Sequence, residues 1–119
     1  DKIPIMVKGS KDRFRDLVYV DDVVEAWLSA FLNDISIGKI YNVAGGVKTR
    51  VYDIIETLKS SFGYNDYKVE YQDGTTGDQF GVVASIDRIK TDLNWSPNVN
   101  IKEGLKRMVD FERSKLQHI

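Results

Sequence analysis

The 119-residue sequence has no cysteine, one histidine, two prolines and no apolar run of bilayer length. Without cysteine there is neither a disulfide framework nor a thiol nucleophile. A single imidazole is too few for the usual zinc ligand sets. No stretch is long enough to span a membrane, and none has the form of a secretory signal. Lys and Arg number 17 against 18 Asp and Glu, for a net charge of −1, so no global field attracts nucleic acid or an anionic surface. These absences leave a protein with no nucleic-acid or membrane partner, expected in a reducing cytoplasm. What is present, 42% hydrophobic and 29% charged residues, is the composition of a globular protein, and the length suits one domain over 1–119. The chain opens on Asp1 rather than Met, so the expectation is a piece of a longer protein.

Periodicity divides the chain into short strands and longer helices. Ile3 to Val7 reads as an edge strand, where Pro4 costs least, and the charged segment Lys11 to Arg15 returns the chain into a second strand at Leu17–Val20. The expectation is a hairpin. Asp21 and Asp22 then suit a helix start, and Val23, Val24, Trp27, Leu28 and Phe31 have the spacing of one buried helix face. Ile40 to Ala44 reads as a strand ended by Gly45-Gly46. Thr49 is positioned to cap a second helix, whose stripe is Val51, Ile54, Ile55, Leu58 and Phe62 and whose stop is Gly63. Tyr67 to Tyr71 alternates as a strand, Gln72 to Gln79 is a polar loop, and Gly81 to Ala84 is a further strand. Ser85 suits the cap of a short helix ending at Asn94, and Asn100 with Glu103 has capping-box spacing for the last helix. The fold expected is α/β, a small mixed sheet with a hairpin, covered by about four helices.

Two segments invite a phosphate reading. The arginines before Leu17 offer planar forks suited to a diphosphate, although a charged loop between strands is equally a solvated surface. Gly45-Gly46 follows a strand and precedes a helix, but a dinucleotide fingerprint needs three spaced glycines and a following acidic residue, which are lacking here. A tight turn with positive φ is the reading that remains.

Arg15-Asp16-Leu17-Val18-Tyr19-Val20-Asp21-Asp22-Val23-Val24 resembles the RDFVYVDDVV signature of the extended short-chain dehydrogenase/reductases, the nucleotide-sugar epimerases and dehydratases. Tyr41 to Gly46 is similar to that family's YNVGxG turn, Gly77-Asp78 to its RxGD segment, and Leu93 to Pro97 to its LGWxP. These landmarks occur in the family's order and resemble only the C-terminal, substrate-binding part of such an enzyme, for example one like UDP-glucose 4-epimerase. The resemblance implies a nucleotide-diphosphate sugar as ligand, with Arg15 on the diphosphate and Asp78 on the ribose. A turn-forming aspartate is the alternative for Asp78. Thr75 stands where the family commonly has a second diphosphate arginine.

The resemblance also implies NAD in the parent enzyme, bound by an N-terminal Rossmann domain absent from this sequence. No cofactor and no catalytic residue are expected in the chain itself. Tyr64 and Lys68 have the spacing of the family's catalytic pair, but Gly63, Asn65 and Asp66 make a turn where a helix is needed. A fragment of this kind should expose apolar residues where its companion sat, or bury them in a homodimer. The other reading is a free-standing ligand-binding or interaction module that never had a catalytic partner.

Overall fold

The computed structural model describes residues 3–117. Four helices and two small ladders build an α/β unit, as the patterning implies. β1 is Ile5–Lys8, β2 Phe14–Arg15, β3 Thr49–Arg50 and β4 Val69–Gln72, while α1 is Val20–Phe31, α2 Val51–Phe62, α3 Asp87–Leu93 and α4 Ile101–Leu116. A single 3₁₀ turn, Asp34–Ser36, follows α1.

The strand partners differ from the expected hairpin. β1 pairs in parallel with β4, Ile5 opposite Val69 and Lys8 opposite Gln72. β2 pairs antiparallel with β3, Phe14 opposite Arg50 and Arg15 opposite Thr49. Leu17–Tyr19 joins neither ladder, because Val18 packs into the core and Val20 already begins α1. Ile40–Ala44 and Gly81–Ala84, read as strands, are likewise outside both ladders. An apolar or alternating run carries no information on which distant strand, if any, completes its hydrogen bonds.

Helix ends follow local chemistry where a side chain can reach. The Asn100 side chain accepts the Glu103 N–H at 2.9 Å and caps α4. Gly63, at φ 78°, and Asn94, at φ 50°, close α2 and α3 in the left-handed region. Thr49 does not cap α2, since it is spent in β3, and α1 starts at Val20 so that Asp21 and Asp22 lie in its first turn. Ser85 accepts the Asp87 N–H at 3.4 Å just ahead of α3, whose cap position is Ile86.

The core gathers Ala26, Ala44, Ile86, Ile89 and Trp95, with Val18, Tyr41, Val43, Ala84 and Leu93 around it. Asp22 is buried at 1% exposure and holds this region together through both its peptide and its side chain. Its carbonyl accepts Trp95 Nε1–H at 3.0 Å, and its carboxylate accepts the Val99 N–H at 3.0 Å. Helix α4 also packs on α2, and the residues it buries are Gly104, Leu105 and Val109.

The stripe expected to be buried on α1 is not. The helix buries Asp22 and Ala26, whereas Val24, Trp27, Leu28 and Phe31 are exposed, Trp27 at 73% and Phe31 at 87%. Its neighbours Leu32, Ile37 and Ile40 are exposed as well. The radius of gyration, 17.3 Å, and extents of 57 × 40 × 20 Å describe a flat slab. A compact chain of this length would have a radius of about 13.5 Å.

Candidate functional site

The two candidate ligand residues lie on one rim, where the loop after β4 folds back over β2. The Phe14 N–H donates to the Phe80 carbonyl at 3.1 Å, and the Phe14 and Phe80 rings meet edge to face at 6.0 Å. A Cβ on Gly81 would come within 2.4 Å of the Phe14 ring, so the loop can lie this close only with glycine there. Arg15 Nη1 donates to the carbonyls of Phe14, at 2.8 Å, and Phe80, at 3.4 Å. No carboxylate pairs with Arg15 among the described residues. Among the described residues it is therefore a half-buried cation bonded to carbonyls and to no carboxylate.

Asp78 is engaged differently. Its carboxylate lies 3.1 Å from Nη1 of Arg13, and its N–H donates to the Thr75 carbonyl in a turn that carries Gly77 at φ 88°. Arg13 reaches it through a gap bounded by Gly9 and Gly74, where an added Cβ would stand 2.9 and 2.2 Å from the guanidinium. The Arg13 side chain is 16% exposed and that of Asp78 43%. Sequence reasoning singled out Arg15 and passed over Arg13. The signal that marks it is its position two residues before Arg15, directly ahead of β2, a spacing that puts both on one face of a strand.

Asp16 is the organising residue that motif reading alone left without a role. Its carboxylate accepts the N–H groups of Gly45 at 2.7 Å, Gly46 at 3.0 Å and Ala84 at 3.0 Å. A Cβ on Gly45 would lie 2.4 Å from the Leu17 carbonyl, so the glycine permits the close approach. Gly46 has φ 71°, the positive-φ turn expected. Because both turn N–H groups are already committed to Asp16, this is not a phosphate cradle, and the residues present do not fit a dinucleotide there. Tyr64 and Lys68 stand in the connection between α2 and β4, outside any helix, and Lys68 pairs with Glu70 at 3.0 Å.

A separate cluster ties α3 to the segment after the 3₁₀ turn. Asp92 accepts from Tyr41 Oη at 2.8 Å and Lys39 Nζ at 3.1 Å, and these bonds hold its carboxyl below the usual carboxylate range. Loss of hydration, and then Asp92, push the Tyr41 phenol above its ordinary value. Among the described residues no group of three or more acidic, histidine or cysteine side chains could hold a metal ion, and no helix is long and apolar enough to cross a membrane.

This mixed α/β fold matches the C-terminal portion of extended short-chain dehydrogenase/reductases. The chain belongs to the family described as GDP-mannose 4,6 dehydratase, whose model matches residues 1–108. It is similar to a UDP-glucose 4-epimerase of Thermotoga maritima solved with UDP-glucose, at 33% identity and a TM-score of 0.84 over 95% of this chain and 36% of that one. A UDP-glucuronate 4-epimerase of Thermodesulfobacterium geofontis is 32% identical over 98% of this chain and 35% of its own length. A UDP-glucuronic acid 4-epimerase of Bacillus cereus, solved as a Y149F mutant with a fluorinated UDP-sugar and NAD, is 25% identical with a TM-score of 0.84 over 93% of this chain and 35% of that one. The chain thus spans about a third of the length of the relatives it matches.

Proposed function

We propose that this chain forms the substrate side of an NAD-dependent nucleotide-sugar epimerase or dehydratase, in a cytoplasmic setting, with Arg15 on the diphosphate and Asp78 on the nucleotide ribose. The observation that carries this reading is Arg15, a half-buried guanidinium without a carboxylate partner among the described residues, set beside Asp78's loop in a chain of this family. A diphosphate provides the missing countercharge through charge-assisted bonds. Relatives solved with UDP-sugars, one also with NAD, support the ligand class and the parent cofactor. Hydride transfer then depends on residues beyond these 119, because the one glycine pair that resembles a phosphate turn is held by Asp16. The exposed apolar face of α1 weighs against a free-standing module.

The test is affinity for UDP-glucose in the full-length protein at matched salt. Arg15→Ala should weaken binding about tenfold to hundredfold, the equivalent of one charge-assisted contact. Arg15→Lys should recover part of that loss, since a point charge lacks the fork. Unchanged affinity in Arg15→Ala, with circular dichroism intact, would place the phosphates elsewhere.

A further inference from the structure

We propose that Arg13 is a second phosphate-binding guanidinium on this rim, held by Asp78 until an entering diphosphate exchanges partners with it. The inference rests on the functional reading above for the location of the diphosphate, and adds a residue and an order of events to it. Arg13 directly precedes β2 and its carbonyl accepts the Val51 N–H at 2.7 Å, one step beyond the Phe14–Arg50 pair, so two residues apart it falls on the same face as Arg15. The other nearby cations are differently occupied. Lys48 stacks on the Phe14 ring at 4.3 Å, and alternation sends that ring to the opposite face. Arg50 is shared between Asp12 at 3.6 Å and Asp53 at 3.1 Å.

The exposure of the ion pair gives the direction of exchange. Arg13 is the sheltered member and Asp78 the open one, on a turn whose Gly77 permits backbone that other residues resist. A sheltered guanidinium is costly to leave without an anion, and trading one anion for another adds little desolvation. Asp78, half in water, can leave. Two phosphate charges then meet two guanidinium groups, and the released carboxylate is free to accept a hydroxyl of the ligand. With Asp78 left in place the same rim would offer a diphosphate only one net positive charge. Thr75, on the same turn, supplies a hydroxyl and no charge.

Inorganic pyrophosphate isolates the phosphate contacts, because it has no ribose for Asp78 to hold. Titration calorimetry on the full-length protein at fixed low salt should show Asp78→Asn tightening pyrophosphate by about threefold to tenfold, since a competing anion has been removed. Arg13→Gln should weaken pyrophosphate by about tenfold or more, and the Asp78→Asn gain should vanish in the double variant. Arg13→Lys covers the case in which Arg13→Gln does not fold. It keeps a cation for Asp78 yet lacks the fork, so a ligand role predicts a several-fold loss and a purely structural latch predicts none. Pyrophosphate affinity unchanged by Asp78→Asn, or by a folded Arg13 variant, would overturn the exchange. If Arg15→Ala also leaves pyrophosphate and UDP-glucose unaffected, the functional reading itself falls. If Arg15→Ala weakens both while the Arg13 variants do not, only the present inference falls.

Discussion

Replacing Asp16 should separate three backbone donors that depend on one side chain. Its Oδ1 accepts from Gly45 at 2.7 Å and Gly46 at 3.0 Å, and its Oδ2 accepts from Ala84 at 3.0 Å and from Gly46 at 3.1 Å. The bonds to Gly45 and Ala84 are part-buried, while that to Gly46 is exposed and water can replace it. Asp16→Ala therefore strands two sheltered donors at about 1 to 2 kcal/mol each, a loss of about 2 to 4 kcal/mol. That is a large part of the stability of a small domain, about 5 to 15 kcal/mol. Asp16→Asn is more selective. Its carbonyl can take the Oδ1 position and keep the glycine turn, but its amide then faces the Ala84 N–H, donor against donor. Urea melts give the totals, and amide hydrogen exchange assigns them: Ala84 loses protection in both variants, Gly45 only in Asp16→Ala. A loss below about 1 kcal/mol in Asp16→Ala, or unchanged exchange at Ala84, would refute the view that this carboxylate holds the two segments together.

Two further outcomes are expected. Trp27→Lys together with Phe31→Lys should leave the melting temperature of the 119-residue chain nearly unchanged, because both side chains are exposed, while sedimentation shows less self-association; a large fall in stability would mean that this face is covered within the chain. Asp92, with its folded-state value lowered first by Tyr41 and then by Lys39, contributes stability that is complete above the ordinary carboxylate range and is lost as pH falls through the depressed value. Acid titration of stability should accordingly be shallower in Asp92→Asn than in the parent, and an identical acid limb would refute the linkage. Tyr41 acts on the alkaline side, where its raised value means a contribution present below its ordinary range and lost as pH rises through the folded one.

Legibility from sequence followed the distance over which each residue finds its partners. The α2 helix and the Gly63, Asn94 and Asn100 termini depend on neighbours within a few positions and took the form their spacing implies, although the α2 stripe, expected as core, is only partly buried. The β1 partner, by contrast, begins at Val69, and a period-two pattern is the same whichever strand it meets. Arg15 and Asp78 stood out through family motifs, but the ion pair that engages Asp78 comes from Arg13, whose approach needs glycine at 9 and 74. Asp16 has the same difficulty. A carboxylate beside an arginine reads as solvent-facing charge until Gly45 and Ala84 arrive from far along the chain. The stripe on α1 was read correctly as apolar and wrongly as buried, since periodicity reports that a face wants cover without saying where the cover lies.

That uncovered face bears on the stability of the whole chain. Val24, Trp27, Leu28, Phe31 and Leu32 are each at least half exposed, and the nearby Ile37 and Ile40 are exposed too. Covering those five side chains would contribute about 5 to 10 kcal/mol, allowing for what is already buried, which rivals the entire stability of a domain this size. A second copy of the chain could supply the cover as a homodimer, but association of separate molecules loses translational and rotational freedom and so depends on concentration. A segment continuous with this one loses far less, because the linker holds it at high effective concentration. On this count a continuous segment would cover the face at lower cost than self-association, which the apolar contact alone would favour only at high protein concentration.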